Sequence, residues 1–95
     1  MGVAKQVGAD KKRSDGTLAE AVGAELTELR LSKGWSQQTL ADRVGYDESY
    51  VRQTEMGGNP TLEFLIAVAT VFSLDLSDLI HRAEIRCSRK SGDNK

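Results

Sequence analysis

At 95 residues, with one Trp, two Tyr and two Phe and a formal net charge of −1, the chain can bury one modest core and has no room for a second domain. Its first residues mix Gly, Ala, Gln and charge instead of an apolar leader, and no stretch approaches the roughly 18 apolar residues of a membrane span, so a cytoplasmic protein without membrane contact is expected. A single cysteine, Cys87, excludes an internal disulfide, and with His81 as the sole histidine there is no ligand set for a metal and no sign of a cofactor or small-molecule ligand.

Residues 1–16 lack periodicity and include Lys11, Lys12 and Arg13, which describes a flexible basic arm. Order is expected from Thr17, which forms a capping box with Glu20; Val22, Leu26 and Leu29 then recur at helical spacing until Gly34 stops the first helix. Trp35 follows as a core anchor. The run WSQQTLADRVGYDESYVRQTE, from Trp35 to Glu55, reads as two short amphipathic helices around a turn at Gly45. Ser36 caps the first of them, Leu40, Ala41 and Val44 form its apolar stripe, and Gln37, Gln38, Asp42 and Arg43 fall on the wet side. Asp47 caps the second, whose Val51 faces inward while Glu48, Ser49, Arg52 and Gln53 stay outside. Two helices joined by a short Gly-containing turn make a helix-turn-helix over residues 36–56, and the outward face of the second can enter the major groove of DNA.

Gly57, Gly58, Asn59 and Pro60 forbid a continuing helix. Thr61 then caps a fourth helix with an apolar face of Leu62, Leu65, Ile66, Ala69 and Phe72, and Asp75 caps a fifth containing Leu76, Leu79 and Ile80. Nothing alternates with a strand period, so the fold class is all-α: a compact five-helix domain over residues 17–81, with residues 82–95 fraying into a basic, solvated tail.

Five helices in this order, the second and third forming the motif, resemble the phage lambda-repressor and Cro-like family of DNA-binding domains over roughly residues 18–81. The likeness rests on Val22-Gly23, Leu26 through Arg30, Ser36-Gln37, Leu40-Ala41, Gly45, Glu55 followed by Gly57, and NPTLEFLIAVATVFSLDLSDLI from Asn59 to Ile80. Within the family, Ser49-Tyr50-Val51 and Asn59-Pro60 look most like controller proteins of restriction-modification systems and related bacterial repressors. The resemblance implies that Ser36 and Gln37 hold the DNA backbone or support a base contact, that Asp47, Glu48, Ser49 and Gln53 face the bases, and that Arg52 and Tyr50 reach phosphates or flanking bases. Arg43 is a further phosphate candidate. The resemblance also implies a salt bridge, Arg30 to Glu55, that orients the recognition helix. Chemistry fits part of this, since Gln pairs bidentately with adenine, Ser donates or accepts, and Glu accepts from the cytosine amino group. The same carboxylates at Asp47 and Glu48 also suit a helix N-terminus with no DNA nearby, and Tyr50 also suits packing at the edge of the motif. Thr54 stands where the family prefers an apolar residue, which implies a less firmly seated recognition helix.

Charge opposes the DNA reading. Between Leu18 and Ile80 four basic residues, Arg30, Lys33, Arg43 and Arg52, face ten acids, whereas DNA-binding surfaces concentrate Lys and Arg to neutralise phosphate. The basic excess sits in the two ends. A domain of this size reads few base pairs, so a homodimer on half-sites roughly 34 Å apart is expected, its surface drawn from Phe72, Leu74, Leu76, Leu79 and Ile80 with Ile85 beside them. The leading function is therefore a sequence-specific regulator bound to double-stranded DNA. The alternative is a protein-interaction or antitoxin-like module that keeps the fold but binds DNA weakly. No nucleophile-base pair or phosphate-cradling loop suggests an enzyme.

Overall fold

Three helices begin where a short hydroxyl side chain on extended backbone satisfies an otherwise orphaned amide. Thr17 Oγ1 accepts the Glu20 N–H at 3.2 Å, Ser36 Oγ that of Thr39 at 3.0 Å, and Thr61 Oγ1 that of Phe64 at 3.1 Å. The computed structural model describes residues 17–93, so the expected basic arm over 1–16 lies outside the described residues. Five helices follow in chain order: α1 (Leu18–Ser32), α2 (Gln37–Val44), α3 (Glu48–Glu55), α4 (Leu62–Val71) and α5 (Leu76–Asp93). No strand occurs among the described residues, which makes the fold the expected all-α, five-helix one. Nor is any single helix among them long and apolar enough to cross a membrane.

α1 packs against both α3 and α5, and α4 closes the other side against α2 and α5. Phe64, Leu26, Leu40, Leu79, Val51 and Val68 meet fully buried at the centre, one or two from each helix. The α1–α3 crossing is close because position 23 has no side chain: a Cβ there would lie 2.5 Å from the Thr54 carbonyl oxygen and 2.8 Å from that of Glu55.

Two expectations about α4 and α5 need correction. On α4 the buried residues are Phe64, Leu65, Val68, Ala69 and, at its C-cap, Phe72, while Leu62 and Ile66 are 63% and 50% exposed. LEFLIAVATV is apolar nearly all round, so periodicity alone could not choose its inner face. α5 does not end near His81 but continues to Asp93. Its apolar stripe extends through the fully buried Ala83 and the partly buried Cys87, and two arginines anchor it to α1. Arg82 and Arg86 donate to the buried Glu25 at 3.3 and 2.9 Å, and Arg86 also pairs with Glu28. The stretch expected as solvated tail therefore supplies, up to residue 88, part of the body.

Candidate nucleic-acid interface

The geometry of α3 starts at the turn before it. Gly45 adopts φ +77, and its N–H and that of Tyr46 both reach the Ala41 carbonyl, at 2.8 and 3.0 Å, which ends α2 within one residue. Asp47 occupies the N-cap of α3 with extended backbone, but its side chain makes no capping hydrogen bond, contrary to expectation. The exposed carboxylate is left over the end of the helix, where the amide dipoles favour a negative charge without a direct bond.

Every inward side chain of α3 is committed. Val51 is fully buried. The Thr54 hydroxyl, expected to loosen the seat, is buried and donates to the Tyr50 carbonyl at 2.9 Å, so its polarity is satisfied within the helix. Tyr50 packs its ring 4.7 Å from Phe64 and 5.0 Å from Tyr46, and its hydroxyl accepts the Thr61 N–H at 3.0 Å, which ties α3 to the start of α4. At the far end Arg30 grips Glu55 bidentately, Nε to Oε2 at 2.7 Å and Nη2 to Oε1 at 3.0 Å, while its Nη1 donates to the Trp35 carbonyl at 2.8 Å. Gln37 Nε2 adds a further bond to Glu55 Oε1 at 2.9 Å. With the Arg30 and Glu55 side chains 11% and 5% exposed, this is a nearly dry charge pair, and it joins α1, the start of α2 and the end of α3.

The outward side chains are in the opposite condition. Ser49, Arg52 and Gln53 are exposed and Glu48 is half-buried, and none makes a hydrogen bond or ion pair among the described residues. Even Glu48 and Arg52, opposite charges one turn apart, do not pair. Positions 48, 49, 52 and 53 fall in two neighbouring rows on one side of α3, an unbroken polar strip. Ser36 is less free, since its hydroxyl caps α2 and bonds the Thr39 hydroxyl at 3.0 Å. Arg43 sits elsewhere: its guanidinium carbon lies 4.3 Å from the Trp35 ring centroid, and six residues place it about 120° round α2 from Gln37. Trp35 itself is not a fully buried anchor but a half-buried plate at the core's rim, 5.4 Å from Phe72 on one side.

The surface expected to form a dimer divides in two. Leu79 is fully buried and Phe72 is 9% exposed, so both serve the protomer core and cannot offer contact area to a second copy. The inward turn of α5 and the tilt of Trp35 against Phe72 use the area that sequence reasoning left spare. Leu74, Leu76 and Ile80 remain half-buried at the edge.

Two features escaped the sequence reading. The Gln37–Glu55 bond spans 18 residues with no local signature. The cluster of Glu25 and Glu28 with Arg82 and Arg86 did leave one, acids at i, i+3 opposite arginines at i, i+4, but only if the last helix is first allowed to continue.

Known proteins place this geometry. The sequence matches the model of a helix-turn-helix family over residues 26–79. No curated protein matches it. Among solved structures it is similar to a crystal structure of the clp gene regulator ClgR from Corynebacterium glutamicum, with TM-score 0.75 and 24% identity over 82% of this chain and 84% of that one. A second crystal structure of that regulator gives TM-score 0.68 and 26% identity over 75% of this chain and 92% of that one.

Proposed function

The chain belongs to the helix-turn-helix family of phage repressor and Cro-like type, and from that premise we propose that it binds specific duplex sequences as a homodimer, each α3 lying in the major groove. At the coarser level it is a DNA-binding transcription regulator. The observation that carries the finer reading is the division of α3. Inside, Tyr50, Val51, Thr54 and Glu55 are locked; outside, Glu48, Ser49, Arg52 and Gln53 are uncommitted. A rigid scaffold carrying unpartnered polar groups is what base readout needs, because donors and acceptors already satisfied internally could not discriminate base edges.

In this reading Ser49, Gln53 and the two acids at the start of α3 face the bases. Arg52 reaches a flanking phosphate, and the α2 amides behind Ser36 and Gln37 approach the backbone. Tyr50 acts chiefly by fixing α3 against α4. Arg43, held on Trp35, contributes at most a peripheral phosphate contact. Dimerisation rests on the half-buried Leu74, Leu76 and Ile80.

Selection from random duplex DNA is the test, and recovery of a palindromic motif is the expected outcome. Within that complex Arg52→Ala should weaken binding to all sequences evenly, and Ile80→Arg should give a monomer in sedimentation with its helical signal intact. The protein-interaction alternative draws on one observation, the use of Arg82 and Arg86 by the acids of α1, which leaves fewer cations for phosphate. It would be favoured by a selection that enriches nothing.

A further inference from the structure

The order of uncommitted groups along α3 fixes more than the fact of readout. We infer that each half-site contains a C·G pair read by Glu48 and an A·T pair read by Gln53, about two base pairs apart. This rests on the reading of α3 as a major-groove helix and extends it to the chemistry of the operator.

Acceptors and donors are segregated along the helix. Its N-terminal end offers only carboxylates: Asp47, which makes no capping bond, and Glu48, which does not pair with Arg52. A carboxylate accepts from the cytosine N4 amino group, finds no donor on guanine or thymine in the major groove, and on adenine meets the N6 donor only beside the repelling lone pair of N7. Toward the C-terminal end the exposed amide of Gln53 offers one donor and one acceptor in the geometry of adenine N6 and N7. Ser49 between them is indifferent, since a hydroxyl both donates and accepts. Five residues separate Glu48 from Gln53, about 7.5 Å along the helix axis, and with bases about 3.4 Å apart along a strand that is roughly two base pairs. The Arg30–Glu55 and Gln37–Glu55 bonds hold the helix against the sliding that would blur this spacing.

The acidic end has a second consequence. Uncommitted carboxylates at the groove are repelled by phosphate wherever no cytosine amino group meets them, so a wrong sequence is rejected by repulsion as well as by missing contacts.

The test uses the full chain and its recovered motif, with every base pair of one half-site varied in turn. The wild type should prefer cytosine at one position and adenine about two base pairs away, each by about tenfold or more. Glu48→Gln should shift the first preference from cytosine to adenine and leave the second intact, whereas Gln53→Ala should flatten only the second. Both variants should keep the wild-type helical signal, because neither side chain makes an internal hydrogen bond. A motif whose cytosine preference survives Glu48→Gln overturns this inference while leaving the regulator standing. Failure to recover any motif removes both.

Discussion

Two residues, one within α1 and one just after α4, show how little tolerance the backbone leaves. Gly23 is not there for conformational freedom but for space, since any Cβ would meet the Thr54 and Glu55 carbonyl oxygens at 2.5 and 2.8 Å. Backbone oxygens on a helix cannot step aside as a flexible side chain can. Gly23→Ala should therefore push α1 away from α3 and lower stability by about 2–3 kcal/mol, read as a fall in the thermal midpoint. The same shift stretches the Arg30–Glu55 pair, so DNA affinity should fall further than the loss of folded protein explains. Ser73 presents the reverse case. It sits at φ 59 after α4, where its N–H reaches the Thr70 carbonyl at 3.0 Å and that of Leu74 reaches Ala69 at 2.8 Å. This turn shape suits glycine, and an L side chain there carries steric strain. Ser73→Gly should raise stability by about 1 kcal/mol in denaturant unfolding; an unchanged midpoint would mean that the serine is unstrained.

Among the elements, α5 depends most on a contact that its own sequence does not reveal. Glu25 is 6% exposed on α1 and receives both Arg82 and Arg86. Hydrogen bonding to Glu25 first, and to Glu28 as well, raises the Arg86 guanidinium above its ordinary range against the pull of desolvation, so raising the pH does not release the latch. Glu25→Gln should cost about 1–2 kcal/mol, less than a fully buried pair because both arginines keep part of their hydration. Amide exchange over residues 82–88 should accelerate while that of α3 changes little; uniform acceleration would show that α5 has no independent latch. The element also marks where sequence reasoning stops. α1, α2 and α3 were legible because their caps, their Gly45 turn and their apolar stripes are all local signals. The inner face of α4 was hidden by hydrophobicity on every side, and the extent of α5 was hidden because arginine and serine read as solvated tail until a buried carboxylate some 60 residues away is known to receive them. For the candidate site, exposure of Ser49 and Gln53 followed from periodicity, whereas the commitments of Tyr50 and Gln37 are tertiary and left no trace nearby.

For the molecule as a whole, the acidic balance becomes sharper once the ion pairs are known. Of the four basic residues between Leu18 and Ile80, Arg30 is spent on Glu55 and Arg43 lies over Trp35, which leaves Lys33 and Arg52 unpaired among the described residues. Arg82 and Arg86, counted in sequence as part of a compensating basic end, are turned onto α1 instead. A dimer of such bodies would present four free cations among the described residues, six if Arg43 also leans toward a phosphate. Each neutralised phosphate contributes about −0.9 to the slope of log K against log salt, so the body alone supports a slope between about −4 and −5. Binding of the full chain to its selected duplex, titrated across a range of salt concentrations, decides the matter. A slope in that range means that specificity rests on base contacts and helix-terminal amides, with weak competition from bulk DNA. A slope steeper than about −8 would require lysines and arginines beyond the described residues, Lys5, Lys11, Lys12 and Arg13 first among them, to engage phosphate. Replacing those four with glutamine should then bring the slope back to the value set by Lys33 and Arg52.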